Sequence, residues 1–223
     1  MPTALITGAG GGIGSAIASA LAPSHTLVLA GRPSDRLRGV AERLGATIWP
    51  LDLADTGAAH AVVDAARIDA LDVLVHNAGV MRPGRVADST AADWRATFEV
   101  NVVGAVALTS ALLPVLRQAH GRVVFINSGS GKRVSPGMAS YSASKFALRA
   151  YADSLRDDEP ALRVTSIYPG RTDTAMQRDL VAFEGGRYDP ARFLQPATVA
   201  QIVAQVVAAP PDAHVHEVVV RPG

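Results

Sequence analysis

At 223 residues, 48% hydrophobic and only 5% aromatic, the chain is long enough to bury a sizeable core as a single domain, residues 1–223, and too apolar to be disordered. A formal net charge of +1 with no basic run gives no footprint for nucleic acid, and the absence of cysteine excludes disulfides and thiolate metal sites. The six histidines show no ligand spacing, so no metal is expected. Met1-Pro2-Thr3-Ala4-Leu5 lacks the basic segment of a signal peptide, and a cytoplasmic protein without membrane or nucleic-acid partners is the expectation.

Thr3-Ala4-Leu5-Ile6-Thr7 reads as a short apolar strand. The turn Gly8-Ala9-Gly10-Gly11-Gly12-Ile13-Gly14 then leads into a helix with Ile13, Ile17 and Leu21 on one face. Glycines between a strand and a helix let the backbone turn tightly and approach a pyrophosphate, whose charge the helix N-terminal N–H groups favour. A nucleotide site is expected there, a merely flexible glycine loop being the plainer alternative. No lysine follows, which argues against a triphosphate-binding P-loop.

Thr26-Leu27-Val28-Leu29-Ala30 is a second strand, ending at Gly31-Arg32. A helix through Leu37, Val40, Ala41 and Leu44 leads to a third strand near Ala46-Thr47-Ile48-Trp49. Asp52 and Leu53 follow it, then a helix from about Thr56 to Arg67. Leu71-Asp72-Val73-Leu74-Val75 is the fourth strand and runs into His76-Asn77-Ala78-Gly79. A long helix from about Ala91 to Arg117, broken or bent near Pro114, carries Trp94, Phe98 and Asn101. Its apolar stretch Val100 to Leu116 is interrupted by Asn101, Thr109, Ser110 and Pro114, so it reads as a buried helix rather than a membrane span. Arg122-Val123-Val124-Phe125-Ile126-Asn127 is a buried strand ending at Ser128. A helix after Pro136-Gly137 carries Tyr141 and Lys145. Arg163-Val164-Thr165-Ser166-Ile167 is the sixth strand, ending at Pro169-Gly170. A final helix after Pro196 precedes the seventh strand, His216-Glu217-Val218-Val219-Val220.

This alternation predicts an α/β, doubly wound, Rossmann-type fold: a seven-stranded parallel sheet with helices on both faces. Ligands of such sheets bind beyond the carboxyl ends of the strands, where the glycine turn, Arg32, Asp52, Asn77, Ser128 and Pro169 all fall. Tyr141 and Lys145, four apart on a helix, share one face. A cation within about 4–6 Å of a phenol favours the phenolate and lowers its pKa by roughly 1–3 units, which makes the pair a candidate general acid/base.

Taken together, Thr7-Gly8-x-x-x-Gly12-Ile13-Gly14, Asn77-Ala78-Gly79, Asn101, Ser128, Tyr141-x-x-x-Lys145 and Pro169-Gly170 resemble the motifs of the short-chain dehydrogenase/reductase family, in order and over essentially the whole chain. The resemblance implies that Tyr141 exchanges a proton with a substrate carbonyl or alcohol and that Ser128 hydrogen-bonds the same oxygen. It implies that Lys145 lowers the Tyr141 pKa and holds the nicotinamide ribose, and that Asn101 supports a water-linked proton relay. Cofactor contacts would come from Gly8, Gly12, Ile13, Gly14, Arg32, Asp52, Leu53, Asn77, Ala78, Gly79, Tyr141, Lys145, Pro169, Gly170, Thr172 and Thr174. Two positions depart from the family pattern: His76 stands where another asparagine is usual, and Gly11 where NADP-preferring members often carry a basic residue.

The plainer alternatives are few. Asn101 can be a mid-helix polar residue satisfied locally, and Ser130 can replace Ser128, although its spacing to Tyr141 is shorter than the family favours. Met81, Val134, Met138, Met176 and Phe183 are candidate substrate-pocket or core residues. The activity implied is NADP(H)-dependent interconversion of a small-molecule carbonyl and a secondary alcohol, with NAD(H) possible. The NADP(H) preference follows from Gly31-Arg32 at the end of the second strand, with Ser34 and Arg36 near enough to assist. A non-catalytic dinucleotide sensor or scaffold is the rival, disfavoured by the intact Tyr and Lys. A sugar-nucleotide epimerase or dehydratase would need a larger region than Arg171 to Gly223. A homodimer or homotetramer is expected from Ala105, Leu108, Leu112, Phe146, Leu148 and Tyr151, more apolar side chains than one buried face requires.

Overall fold

The structure, a computed structural model, describes residues 1–57, 63 and 68–223. Seven parallel strands form one sheet: β1 (Thr3–Thr7), β2 (Thr26–Gly31), β3 (Thr47–Pro50), β4 (Val73–His76), β5 (Arg122–Ile126), β6 (Arg163–Pro169) and β7 (Glu217–Val220), in the order β3-β2-β1-β4-β5-β6-β7. The helices are α1 (Gly12–Leu21), α2 (Asp35–Leu44), α3 (Ala91–Gln118), α4 (Ala139–Asp158), α5 (Ala175–Phe183) and α6 (Pro196–Val207). The helix expected from about Thr56 to Arg67 falls largely outside the described residues. The α5 helix was not expected; Thr174 caps it by accepting from the Gln177 N–H at 3.2 Å.

The strands are apolar throughout because both faces are covered. Alternate residues go to opposite sides: Ala4 and Ile6 of β1, Val73 and Val75 of β4, and Val124 and Ile126 of β5 join Ile17, Leu21, Leu37 and Val203 in one core. Leu5, Leu74, Val123 and Phe125 join Leu108, Leu112, Leu116, Leu148 and Leu155 in the other. The Val100–Leu116 run therefore lies along the sheet, with Leu108, Leu112 and Leu116 fully buried, although α3 is long and apolar enough by composition alone to cross a membrane.

The irregularity in α3 is not at Pro114, through which the helix continues, but at Glu99–Val103, where the hydrogen bonding becomes π-helical. A π turn admits one extra residue and redirects the side chains around it. Here it brackets Asn101, which faces Val80, and is followed by Gly104, whose hydrogen lies against the Leu53 carbonyl so closely that a Cβ could not fit.

Candidate active site

The crevice opens where the strand order reverses, between β1 and β4. Gly8 takes a φ of 66°, and an added Cβ would come 2.8 Å from the Ala78 Cα, so a side chain is excluded by both conformation and space. Thr7 and Asn77 staple the turn to β4. The Thr7 Oγ1 accepts from the N–H groups of Asn77 and Ala78, both at 3.0 Å, and the Asn77 Nδ2 donates to the carbonyls of Thr7 (3.0 Å) and Gly8 (3.2 Å). A Cβ at Gly14 would meet that amide at 2.5 Å, so this glycine serves helix-to-loop packing. A Cβ at Gly12 would instead project to within 3.2 Å of the Thr174 Cγ2 and narrow the crevice that both residues line.

That crevice is a cavity of about 710 Å³ lined by Gly8, Gly12, Ile13, Gly14, Arg32, Asp52, Leu53, Asn77, Ala78, Gly79, Tyr141, Lys145 and Thr174. These are thirteen of the sixteen cofactor residues expected from sequence; its volume, glycine mouth and flanking helix N-terminus fit a dinucleotide. Arg82, Arg95 and Glu99 also line it and were not foreseen. Ser34, Asp35 and Arg36 do not: the Ser34 hydroxyl caps α2 by accepting from the Leu37 N–H at 3.3 Å, and Asp35 pairs with Arg38 on the surface. Arg32 is left as the cation of that loop that borders the cavity.

A second cavity of about 580 Å³ lies alongside, and Pro169, Gly170 and Thr172 line this one rather than the first. The two share Ile13, Ile126, Asn127, Tyr141, Thr174 and Met176. Met81, Val134, Met138 and Met176 line the second cavity as expected. Phe183 does not; it covers Gly137, whose Cβ position lies 2.6 Å from the ring.

Tyr141 is 8% exposed and Lys145 3%. Burial pushes the Tyr141 phenol above its usual pKa, with Ser128 working in the opposite direction. Burial brings Lys145 down to about 8. The lowered phenol pKa expected from the four-residue spacing is therefore not what the structure holds: the Lys145 Nζ is 5.7 Å from the Tyr141 ring centroid, and desolvation opposes both charges. Ser128 and Ser130 both line the second cavity; the Ser128 Oγ accepts from the Ser130 N–H at 3.1 Å, and it is Ser128 that acts on the phenol.

Asn101 borders neither cavity. It is 2% exposed; its Oδ1 accepts from the Val80 N–H at 2.7 Å, and its Nδ2 donates to the Val80 carbonyl (2.9 Å) and the Ser144 Oγ (3.0 Å). Its partners belong to the segment after β4 and to α4, so it is not satisfied locally within its own helix, as the plainer reading of the sequence allowed, but ties three elements together. Asn127, not singled out from sequence, ties β5 to α4: its Nδ2 donates to the Lys145 carbonyl at 3.2 Å and its Oδ1 accepts from the Ser128 N–H at 2.9 Å. A polar residue closing an apolar strand was the available signal.

A parallel sheet reversing beside a glycine turn, with a buried Tyr–Lys pair on the wall of the cavity at that reversal, defines an α/β protein of the Rossmann class. A family model described as short chain dehydrogenase matches residues 2–185. An uncharacterized oxidoreductase of Staphylococcus aureus strain MRSA252 is 32% identical over 98% of this chain and 96% of its own. An alcohol dehydrogenase from the archaeon Thermococcus sibiricus, complexed with 5-hydroxy-NADP, superposes with a TM-score of 0.90 at 28% identity, over 100% of this chain and 97% of that one. A short chain dehydrogenase from Burkholderia cenocepacia J2315 in complex with NADP gives 0.86 at 30% identity over the same shares. The chain belongs to the short-chain dehydrogenase family and is an oxidoreductase acting on the CH–OH/C=O couple.

Proposed function

We propose that the protein interconverts a small-molecule carbonyl compound and a secondary alcohol with NADP(H), using Tyr141 as general acid/base. The observation that carries this reading is the position of Tyr141 on the wall common to both cavities, with Ser128 acting on its phenol from the end of β5. When bound, NADPH supplies the hydride that the carbonyl carbon gains and is left as NADP⁺, chemistry no side chain here provides. Tyr141 gives its proton to the carbonyl oxygen, so the C=O π bond is replaced by one C–H and one O–H bond; the reverse direction returns that proton to the phenolate.

Ser128 donates to the same oxygen and favours the phenolate between turnovers. Lys145, cationic below about pH 8 and held by its hydrogen bond to the Ile126 carbonyl, lines the nucleotide cavity, where it would hold the nicotinamide ribose. Asn101 acts as a positioning residue: it fixes Val80 and Ser144, so that Gly79 lies over the Lys145 Nζ. Arg32 on the nucleotide cavity favours NADP(H), and the relatives complexed with NADP or its analogue support that preference. A homodimer or homotetramer belongs to the reading on a narrower basis than the sequence offered. Ala105, Leu108, Leu112 and Leu148 are consumed by the protomer's own core, which leaves Phe146 and Val103 exposed on two helices packed together.

The test is Tyr141→Phe, followed by cofactor absorbance with a panel of ketones and alcohols. Nearly all turnover is lost while cofactor affinity stays close to wild type, because the ring remains and the proton does not. Near-wild-type turnover would overturn the assignment.

A further inference from the structure

The second cavity has a charge pattern that the fold does not require. Its wall includes Arg133, Arg171 and Arg221, and no aspartate, glutamate or lysine. Arg171 is held by Glu184 at 2.6 Å. Arg133 and Arg221 have neither an ion pair nor a side-chain hydrogen bond among the described residues. All three are solvent-exposed, so water screens their mutual repulsion, and they present positive charge to an anion that enters the cavity.

Arg221 shows how closely this charge approaches the chemistry. It follows β7 and reaches back across the ends of β5 and β6. Its guanidinium lies against Gly129, where any Cβ would collide with Nη1, and its Cδ lies 3.5 Å from the Cβ position of Gly170. Gly129 directly follows Ser128, so the glycine there lets a cation lie beside the serine that acts on Tyr141. Apolar side chains of Met81, Met138, Met176 and Leu180 share the wall with polar ones such as Ser128, Ser130 and Gln177. None of the three arginines borders the nucleotide cavity, so the charge they await is not the one the glycine turn and Arg32 are placed to meet.

We propose that the substrate is an amphiphilic carbonyl or alcohol compound bearing an anionic group, a carboxylate or a phosphate, which Arg133 and Arg221 bind with Arg171 at the cavity wall. The guanidinium fork matches either oxyanion, and the methionines adapt to the apolar body between anion and carbonyl. This rests on the carbonyl–alcohol reading of the same cavity.

The test uses matched ketones that differ only in charge: 4-acetylbenzoate against 4-acetylbenzamide, 4-oxopentanoate against 4-oxopentanamide, and 4-acetylphenyl phosphate as the phosphate arm. With NADPH, kcat/KM for the anion exceeds that for its amide by about 10-fold or more in the wild type. The ratio falls by roughly 3-fold in Arg221→Gln and to about 1 in Arg133→Gln/Arg221→Gln. The better of the carboxylate and phosphate arms identifies the oxyanion. Amides reduced as well as their anions, or a preference undiminished in the double variant, would overturn the inference. Calorimetric binding of the same probes to NADP⁺-saturated protein separates the two claims. If no ketone is reduced but 4-acetylbenzoate binds more tightly than 4-acetylbenzamide, and the double variant loses the difference, the anion site stands and the carbonyl–alcohol reading fails. Equal binding, or none, with no ketone reduced removes both.

Discussion

Lys145 donates to the backbone carbonyl of Ile126 at 3.1 Å, so the cation one helical turn from Tyr141 is anchored at the end of the strand that leads to Ser128. A side chain that is 3% exposed holds its charge there on one carbonyl, near a ring that is also buried. Burial therefore sets the electrostatics: the phenol is pushed up and the ammonium down to about 8. Any activation of Tyr141 is a contest between a nearby charge and the cost of keeping that charge dry.

One consequence is that Lys145 weakens the fold at neutral pH. A lysine whose folded pKa is about 8, against an ordinary 10.5, is protonated at a cost in the folded chain below pH 8. That cost is relieved as pH rises from 8 to 10.5, because the unfolded chain then holds a proton the folded one has shed. Lys145→Met should be more stable than wild type by about 2 kcal/mol at pH 7, after allowing for the lost hydrogen bond, with the gap shrinking toward pH 10.5. Urea unfolding at pH 7 and pH 10 reads this directly, and a variant less stable than wild type at pH 7 would show that Lys145 is not a burdened cation.

His76 predicts an acid limit of the opposite origin. Its Nε2 lies 2.8 Å from the Thr109 Oγ1, whose own proton goes to the Ala105 carbonyl, so Nε2 is the donor. Its Nδ1 has no partner, its ring stacks on Phe125 at 4.9 Å, and burial lowers its pKa to about 3. Stability is full above the ordinary value near 6.5 and is lost as pH falls from there toward 3, by at most about 1.4 kcal/mol per pH unit. His76→Asn should flatten the melting temperature between pH 6.5 and 4.5. A wild-type slope that the substitution leaves intact would assign the acid sensitivity to other groups.

Gly104→Ala tests how α3 supports the nucleotide cavity. The added methyl would collide with the Leu53 carbonyl and lie 2.7 Å from the Leu53 Cβ, while Asp52 and Leu53 line the cavity on their other side. Backbone cannot yield as a side-chain tip can, so the loop must move. A destabilisation of about 1–3 kcal/mol is expected, together with weaker binding of NADP⁺. Unchanged affinity, measured by calorimetry, would uncouple the helix from the cofactor loop.

The strands and the glycine turn were legible because they follow from local rules: runs of Val, Ile and Leu buried on both faces, and glycines between a strand and a helix. The Tyr141–Lys145 spacing was legible for the same reason, but its electrostatics were not, since the distance along a helix carries no information about desolvation. The π turn at Glu99–Val103 escaped because no side-chain pattern marks it; Pro114 drew attention instead and proved compatible with the helix. Arg221 could not be assigned from its position two residues from the end of the chain. Only the neighbourhood of β7 and β6, and the space left by Gly129, bring it to Ser128.

The choice between dinucleotides turns on Gly31 and Arg32. Gly31 ends β2, and an added Cβ there would meet the Leu37 Cδ2 at 3.7 Å and the Gly8 N at 4.0 Å, both ordinary contacts, so a larger residue fits without moving the glycine turn. An aspartate at this place would accept hydrogen bonds from both adenosine ribose hydroxyls and repel a 2′-phosphate, while Arg32 offers the phosphate a forked set of charged donors. Neither Ser34 nor Arg36 borders the cavity to share that role, so the preference should depend on Arg32 more steeply than the sequence implied. The wild type is expected to favour NADP(H), and Gly31→Asp/Arg32→Ala to shift the NADP-to-NAD ratio of kcat/KM by roughly 100-fold or more toward NAD(H). Dissociation constants for both oxidised cofactors, measured without substrate, should move in the same sense. A wild type that prefers NAD(H), or a double variant whose ratio stays put, would take Arg32 out of cofactor recognition.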